Sequence, residues 1–197
     1  MNKKLSILFT FLTLTFASTA MADKAVLAGG CFWCMESDFE KLKGVTDVVS
    51  GFSGGEVKNP TYRGNHKGHY EVVEITYDPK VVSYREILNH YWVNIDPFDA
   101  RGQFCDKGHE YLSAIFVANE TEKKIAEETR ANVVKQFPSQ KVVTPILNAA
   151  TFWPIKGSES HHQDYYKKNP IRYSWYRSGC GRDKRLKQIW GKQATVK

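Results

Sequence analysis

The chain has 197 residues, 42% of them hydrophobic and 25% charged, with a formal net charge of +7. That length suits one domain and is too short for two comfortable ones, and the composition excludes a disordered, collagen-like or polytopic membrane protein. Four cysteines are too few for a disulfide-stapled scaffold, which a chain of this size does not need, so they point to chemistry.

Residues 1–22 read as a secretory signal peptide. Lys3 and Lys4 supply a basic start, an apolar run extends to about Phe16, and Ala20-Met21-Ala22 is a cleavage signature. The run falls short of the about 20 residues a membrane span requires. Cleavage after Ala22 removes both lysines and no acidic residue, taking the formal charge from +7 to +5. The expected mature protein, residues 23–197, is a single domain, periplasmic or secreted, in an oxidising compartment.

Residues 25–29 form a short apolar strand ending at Gly29-Gly30. Residues 31–42 follow as a helix with Phe32, Met35, Phe39 and Leu42 on one stripe, stopped by Gly44. A second strand spans 45–52 and is closed by Ser53-Gly54-Gly55. The stretch 56–68 is a loop, and its length marks it as functional. Residues 71–77 alternate, with Val73, Ile75 and Tyr77 on one side and Glu71 partly opposed. Ser83 and Glu86 make a capping box for a helix to about Trp92.

After an irregular stretch, 94–108, a strand covers 111–117. Asn119 and Glu122 then open a long helix to Gln136, and 142–147 is a last short strand. The order β-α-β-β-α-β matches a split βαβ, ferredoxin-like topology. The expected fold is therefore α/β, a two-layer sandwich on that core with an extended C-terminal tail. From Thr151 the chain is aromatic and basic, with a short helix expected in 160–168 and irregular structure after Pro170. Arg182, Lys184, Arg185 and Lys187 read as a solvated basic face, with no nucleic-acid partner expected.

The sharpest local signal is Gly29-Gly30-Cys31-Phe32-Trp33-Cys34. It sets Cys31 at the first turn of a helix, where free N–H groups and the positive helix end favour a thiolate and hence a nucleophile. The pair Cys31 and Cys34 also has the spacing of a redox couple or half a zinc site. Zinc fails because neither Cys105 nor Cys180 belongs to a second close pair, and His161-His162 is adjacent rather than suitably spaced. The bulk of Phe32-Trp33 suits the walls of a pocket for an apolar group better than a general dithiol site.

Gly68-His69-Tyr70-Glu71 puts a carboxylate at the mouth of a strand. Buried beside aromatics it becomes a proton donor near neutral pH; facing water it is an ordinary strand glutamate. Asp106, in Gly102-Gln103-Phe104-Cys105-Asp106, carries the same ambiguity. No phosphate-cradling loop or dinucleotide fingerprint is present, and no bound cofactor or metal is expected.

Taken together, Gly30-Cys31-Phe32-Trp33-Cys34-Met35-Glu36, Gly51-Phe52-Ser53-Gly54-Gly55, Asn59-Pro60-Thr61-Tyr62, Gly68-His69-Tyr70-Glu71, Gly102-Gln103-Phe104-Cys105-Asp106, His161-His162-Gln163-Asp164-Tyr165 and Ser178-Gly179-Cys180-Gly181-Arg182 resemble the peptide methionine sulfoxide reductase A family. The likeness runs from about Lys24 to Trp190. It implies reduction of methionine S-sulfoxide, free or in oxidised proteins, by a monomeric protein repair enzyme without a cofactor. By residue, it implies that Cys31 attacks the sulfoxide sulfur and Glu71 protonates its oxygen. Phe32 and Trp33 would hold the substrate methyl group, and Tyr62, Asp106 and Tyr111 would line the polar side of the pocket. Attack leaves a sulfenic acid, which a second thiol converts to a disulfide for a thioredoxin-like dithiol to reduce. Cys180 matches the resolving position, in a tail expected to be flexible, with Cys34 as alternative or relay. Cys105 is left as a pocket or structural cysteine.

Overall fold

The computed structural model describes residues 22–194, so the expected signal peptide lies almost entirely outside the described residues. Apolar alternation and β-branched residues build three strands early in the chain: β1 (Asp23–Gly29), β2 (Val45–Ser53) and β3 (Tyr70–Tyr77). Helix α1 (Phe32–Phe39) connects β1 to β2. Helix α2 (Tyr84–Trp92) opens on the full capping box, Ser83 accepting from the Glu86 backbone and Glu86 from that of Ser83.

A small hairpin, β4 (Gly102–Gln103) with β5 (Asp106–Lys107), interrupts the stretch read as irregular. Strand β6 (Ser113–Val117) is followed by α3 (Glu120–Gln136), β7 (Ile146–Asn148) and β8 (Trp153–Pro154). The central order β6-β1-β3-β2 is antiparallel throughout, which is the split βαβ arrangement expected from the element order. β7 extends it in parallel beyond β6, and β8 pairs antiparallel with β2 at the other edge.

The helices cover one face of the sheet. Ala25, Leu27, Val73 and Ile75 project from the strands onto Phe32, Met35 and Phe39 of α1 and Ile87 and Leu88 of α2, all within one apolar cluster. The opposite face carries a thinner cluster of Ala28, Val72, Ala114 and Phe116, closed by Tyr70, Leu147 and Phe152. The sheet and the helices packed on its first face are the two layers of the sandwich.

The tail departs from its sequence reading. After a 3₁₀ turn (Gly157–His162) come α4 (Tyr165–Lys168), α5 (Pro170–Gly179) and α6 (Arg182–Trp190), so the segment after Pro170 is helical rather than irregular. Pro170 was a poor guide because it stands in the first turn of α5, where a missing N–H costs nothing. Helix α5 also leaves Ile171 and Trp175 exposed, which blurs its apolar stripe.

Buried charge fastens this extension to α1. Arg177 donates to Asp38 at 2.8 Å and to Asp183 at 2.7 Å, and Arg182 lies 3.7 Å from the other oxygen of Asp38. The Arg182 guanidinium also donates to the Asn94 carbonyl at 2.7 Å and the Gly29 carbonyl at 3.3 Å. It rests over the Phe104 ring, 4.5 Å from the centroid. Arg182 is 1% exposed, so it is a buried clamp and not part of a solvated basic face; Lys184, Arg185 and Lys187 are exposed as expected.

Asp38→Ala removes the carboxylate shared by two buried guanidinium groups, leaving Arg177 with Asp183 and Arg182 with two backbone carbonyls, and is expected to cost about 3 kcal/mol, read as a lowered urea midpoint. A loss under 1 kcal/mol would mean that the remaining partners of Arg177 and Arg182 hold the tail without Asp38.

Candidate active site

The site begins where β1 gives way to α1. Gly29 is required by packing, since a Cβ there would sit 2.4 Å from the Met35 sulfur, and Gly30 adopts φ +81° with Gln103 against it. That turn delivers Cys31 as the residue capping α1. The first free N–H of the helix, from Phe32, goes to Glu71 Oε2 at 3.0 Å. The helix end therefore serves the carboxyl of Glu71 directly.

Glu71 is 3% exposed, which overturns the reading of it as opposed to the core side of β3. It shares parity with Val73, Ile75 and Tyr77, all buried on the helix-covered face. Parity alone would have shown this, because side chains two apart on a strand share a face. Burial holds the Glu71 carboxyl well above the ordinary carboxylate range, against the lowering effect of the Phe32 N–H.

Cys31 is 7% exposed. Its thiol is pushed up, first by burial and then by the neighbouring Cys34 and Glu71, rather than lowered as its place at the helix start suggests. Cys34 moves the other way, down to about 7, because Cys31 hydrogen-bonds to it and Arg182 and Arg177 lie nearby. The two thiols thus share one proton-and-charge system in the first turn of α1, both unbonded.

Phe32 and Trp33 stand in an aromatic box. Trp33 stacks on Tyr165 with ring centres 3.8 Å apart, and its Nε1 donates to His162 Nδ1 at 3.1 Å. Phe32 packs against Tyr62 at 6.0 Å and His162 at 5.9 Å. Tyr62 sits on the long loop, whose backbone is held by Glu159 through the Tyr62 and Arg63 N–H groups at 2.8 and 2.9 Å. Burial raises both Tyr62, to about 12, and Tyr111; Glu71, Cys31 and Asp106 each add to this, so these groups surround one small volume. Asp106 is half-buried, and burial raises its carboxyl too. Phe32, Trp33 and Tyr62 pack together, Glu71 accepts the Phe32 N–H, and Glu71, Cys31 and Asp106 all lie close enough to act on Tyr111.

Two contributors were missed. His162, weighed as a metal ligand and named within a motif but given no role at the pocket, is buried and drawn down to about 4 mainly by burial. It is thus neutral, and it orients Trp33 and packs 4.0 Å from the Tyr62 ring. Tyr176 was read only as part of an aromatic tail. Its hydroxyl donates to Asp106 Oδ2 at 2.5 Å and makes a hydrogen-bonding contact with the Cys31 thiol. No sequence signal pointed to it, because it reaches the pocket from α5.

The cysteines also pair unexpectedly. Cys180 is bonded to Cys105, not to Cys31, and Cys105 is exposed rather than a pocket residue. Nor is the tail a free arm, since buried Arg177 and Arg182 flank Cys180 on either side.

The chain matches the peptide methionine sulfoxide reductase family over residues 23–194. It is 44% identical over 198 residues to peptide methionine sulfoxide reductase MsrA 2 of Caulobacter vibrioides, covering 96% of this chain and 99% of that one. To MsrA 2 of Rhizobium meliloti it is 43% identical over 195 residues, covering 96% of each. Among solved structures it resembles methionine sulfoxide reductase A of Corynebacterium diphtheriae, with a TM-score of 0.65 and 29% identity, over 80% of this chain and 79% of that one. Mxr1 of Saccharomyces cerevisiae in reduced form gives a TM-score of 0.67 at 25% identity, over 76% and 87% of the two chains. With nearly the whole described length matched and the motif residues gathered around one pocket, this chain belongs to the peptide methionine sulfoxide reductase family.

Proposed function

We propose that the protein reduces the S epimer of methionine sulfoxide, free or within oxidised proteins, to methionine. The observation that carries this reading is the hydrogen bond from Phe32 N–H to Glu71, which ties a buried, proton-holding carboxyl to the residue after Cys31. A sulfoxide sulfur is a weak electrophile until its oxygen gains a proton. An acid and a nucleophile facing one small volume meet that need.

In this reading Phe32 and Trp33 receive the methyl group, while Tyr62, Asp106 and Tyr111 orient the oxygen. Cys31 attacks the sulfur as Glu71 gives up its proton, releasing methionine and leaving Cys31 as a sulfenic acid. A second thiol, Cys180 or the adjoining Cys34, condenses with the sulfenic acid and expels water. An external thioredoxin-like dithiol then takes up the resulting disulfide by exchange. The basic start and cleavage signature of residues 1–22 support action in the cell envelope, and N-terminal sequencing of exported protein tests that placement.

The activity is tested with S- and R-methionine sulfoxide supplied separately, using dithiothreitol as reductant. Methionine from the S epimer alone is expected. No turnover of either epimer by folded protein would overturn the assignment and turn attention to thiol–disulfide exchange at Cys31 and Cys34.

A further inference from the structure

One short turn of the chain holds two walls of the pocket. The 3₁₀ turn Gly157–His162 is fixed to the sheet by the residue that follows it. The Gln163 side chain donates to the Ser50 and Ile155 carbonyls at 2.7 and 2.9 Å and accepts the Ser50 N–H at 2.8 Å. Residues three apart in such a turn lie on one side of it, and here these are Glu159 and His162. The two Glu159 oxygens accept from the adjacent N–H groups of Tyr62 and Arg63, at 2.8 and 2.9 Å. His162 packs against the Tyr62 ring, 4.0 Å between centres, and takes the Trp33 indole N–H at 3.1 Å. Tyr62 is thus held twice from one turn, by its backbone through Glu159 and by its ring through His162.

That grip matters because Tyr62 belongs to the loop 56–68, most of whose side chains are exposed. A hydrogen bond between His66 Nδ1 and the Thr61 carbonyl, at 3.0 Å, is internal to the loop and cannot set where the loop stands against the pocket. The Glu159 bonds reach across 97 and 96 residues and do set it. Burial opposes charge on Glu159, but the Arg63 and Tyr62 N–H groups hold its carboxyl below the usual range, so it is ionised at neutral pH and both bonds are charge-assisted. We propose that Glu159 is a positioning residue of the site: its carboxylate grips the Tyr62 and Arg63 backbone and so holds the Tyr62 phenol where it orients the sulfoxide oxygen. This rests on the reductase reading above.

A residue that acts through another has no effect once that other is gone. Fully reduced protein, stripped of reductant, is mixed with excess methionine S-sulfoxide, and the rate of the first methionine released is measured in wild type, Glu159→Gln, Tyr62→Phe and the double variant. Glutamine has one acceptor oxygen and sets its own N–H groups against the second backbone donor, so it cannot reproduce the two-pronged grip. Glu159→Gln is expected to slow release by about ten- to a hundredfold, the range a misplaced orienting group produces. In the Tyr62→Phe background the same change is expected to cost no more than about twofold, because residues that act as a unit do not add. Urea midpoints of the four proteins separate misfolding from misplacement.

A second measurement needs no variant. In wild-type protein the Tyr62 and Arg63 amides should exchange with deuterium at least about tenfold more slowly than in an unstructured chain of the same sequence. Unprotected amides, a wild-type rate in Glu159→Gln, a Tyr62→Phe variant as fast as wild type, or losses that multiply in the double variant would each overturn the positioning role. No methionine from the wild-type protein would instead sink the reductase reading, which keeps the two failures apart.

Discussion

Cys31→Ser is expected to abolish methionine formation, with no product above the background of the reductant alone. The serine hydroxyl nearly reproduces the thiol in shape at a 7% exposed position, so the fold should survive while the nucleophile does not. A hydroxyl of ordinary acidity cannot displace methionine from a protonated sulfoxide, and it forms no sulfenic acid to be resolved. The check is a paired measurement: methionine release from the S epimer, and trapping of the sulfenic acid with a dione reagent after substrate is added. Wild-type protein should give both and the variant neither. A variant that still forms methionine would move the nucleophile to Cys34, whose thiol is the one drawn down to about 7.

Glu71→Gln is expected to slow the reaction by about 10²- to 10⁴-fold, the usual contribution of a positioned proton donor. Glutamine can still accept the Phe32 N–H through its carbonyl oxygen, so the wall of the pocket stays in place while the proton is lost. Burial raises the Glu71 carboxyl well above its ordinary value, which favours the protonated form that a proton donor requires. Activity limited by this group holds below its folded-state pKa and falls as pH rises through it; the variant should lack that alkaline limb.

Stability moves the other way. Above the unfolded-state pKa of a glutamate, about 4.3, the folded chain retains a proton that the unfolded chain releases. Wild-type stability therefore declines with rising pH across the window between the two pKa values. Glu71→Gln removes that decline and is expected to be at least as stable as wild type at neutral pH. Rate–pH profiles alongside urea midpoints separate the two effects. A variant equally active with an unchanged profile would leave Glu71 a structural residue.

The disulfide between Cys105 and Cys180 has an exposed member, Cys105. A pair at the surface can be reached by another protein's dithiol, whereas Cys31 and Cys34, 7% and 2% exposed, cannot. The Cys105–Cys180 bond joins the β4–β5 hairpin to the end of α5, apart from the buried unbonded pair Cys31 and Cys34.

Local physics determined much of this protein. The apolar stripes and alternation of residues 25–92, the capping box at Ser83 and the glycine turn before Cys31 each act within a few residues. They therefore appear in the sequence as periodicity and spacing, and they were sufficient for the split βαβ order and for the motif that starts the site. The resemblance carried by the motifs added Tyr62 and Tyr111 and gave roles to Glu71 and Asp106, which the residues alone had left ambiguous. The parity of Glu71 with Val73 was also there to be read, but an acidic side chain at a strand mouth looks the same in sequence whether water or a pocket lies beside it.

What only the tertiary structure decided are partnerships across long chain separations. Phe32 meets Glu71 across 39 residues, Trp33 meets His162 across 129, and Asp38 holds Arg177 across 139. A sequence shows which residues can donate, accept or form a bond, but burial and orientation select the partner, and both are set by how separate elements pack. For the same reason Arg182 passed for a surface cation and α5 for an irregular tail, and Cys105, left as a pocket or structural cysteine, could not be paired with Cys180. The helix start that was expected to lower Cys31 instead serves Glu71, because packing brings a carboxyl to the Phe32 N–H, and burial then outweighs the helix end in setting the thiol.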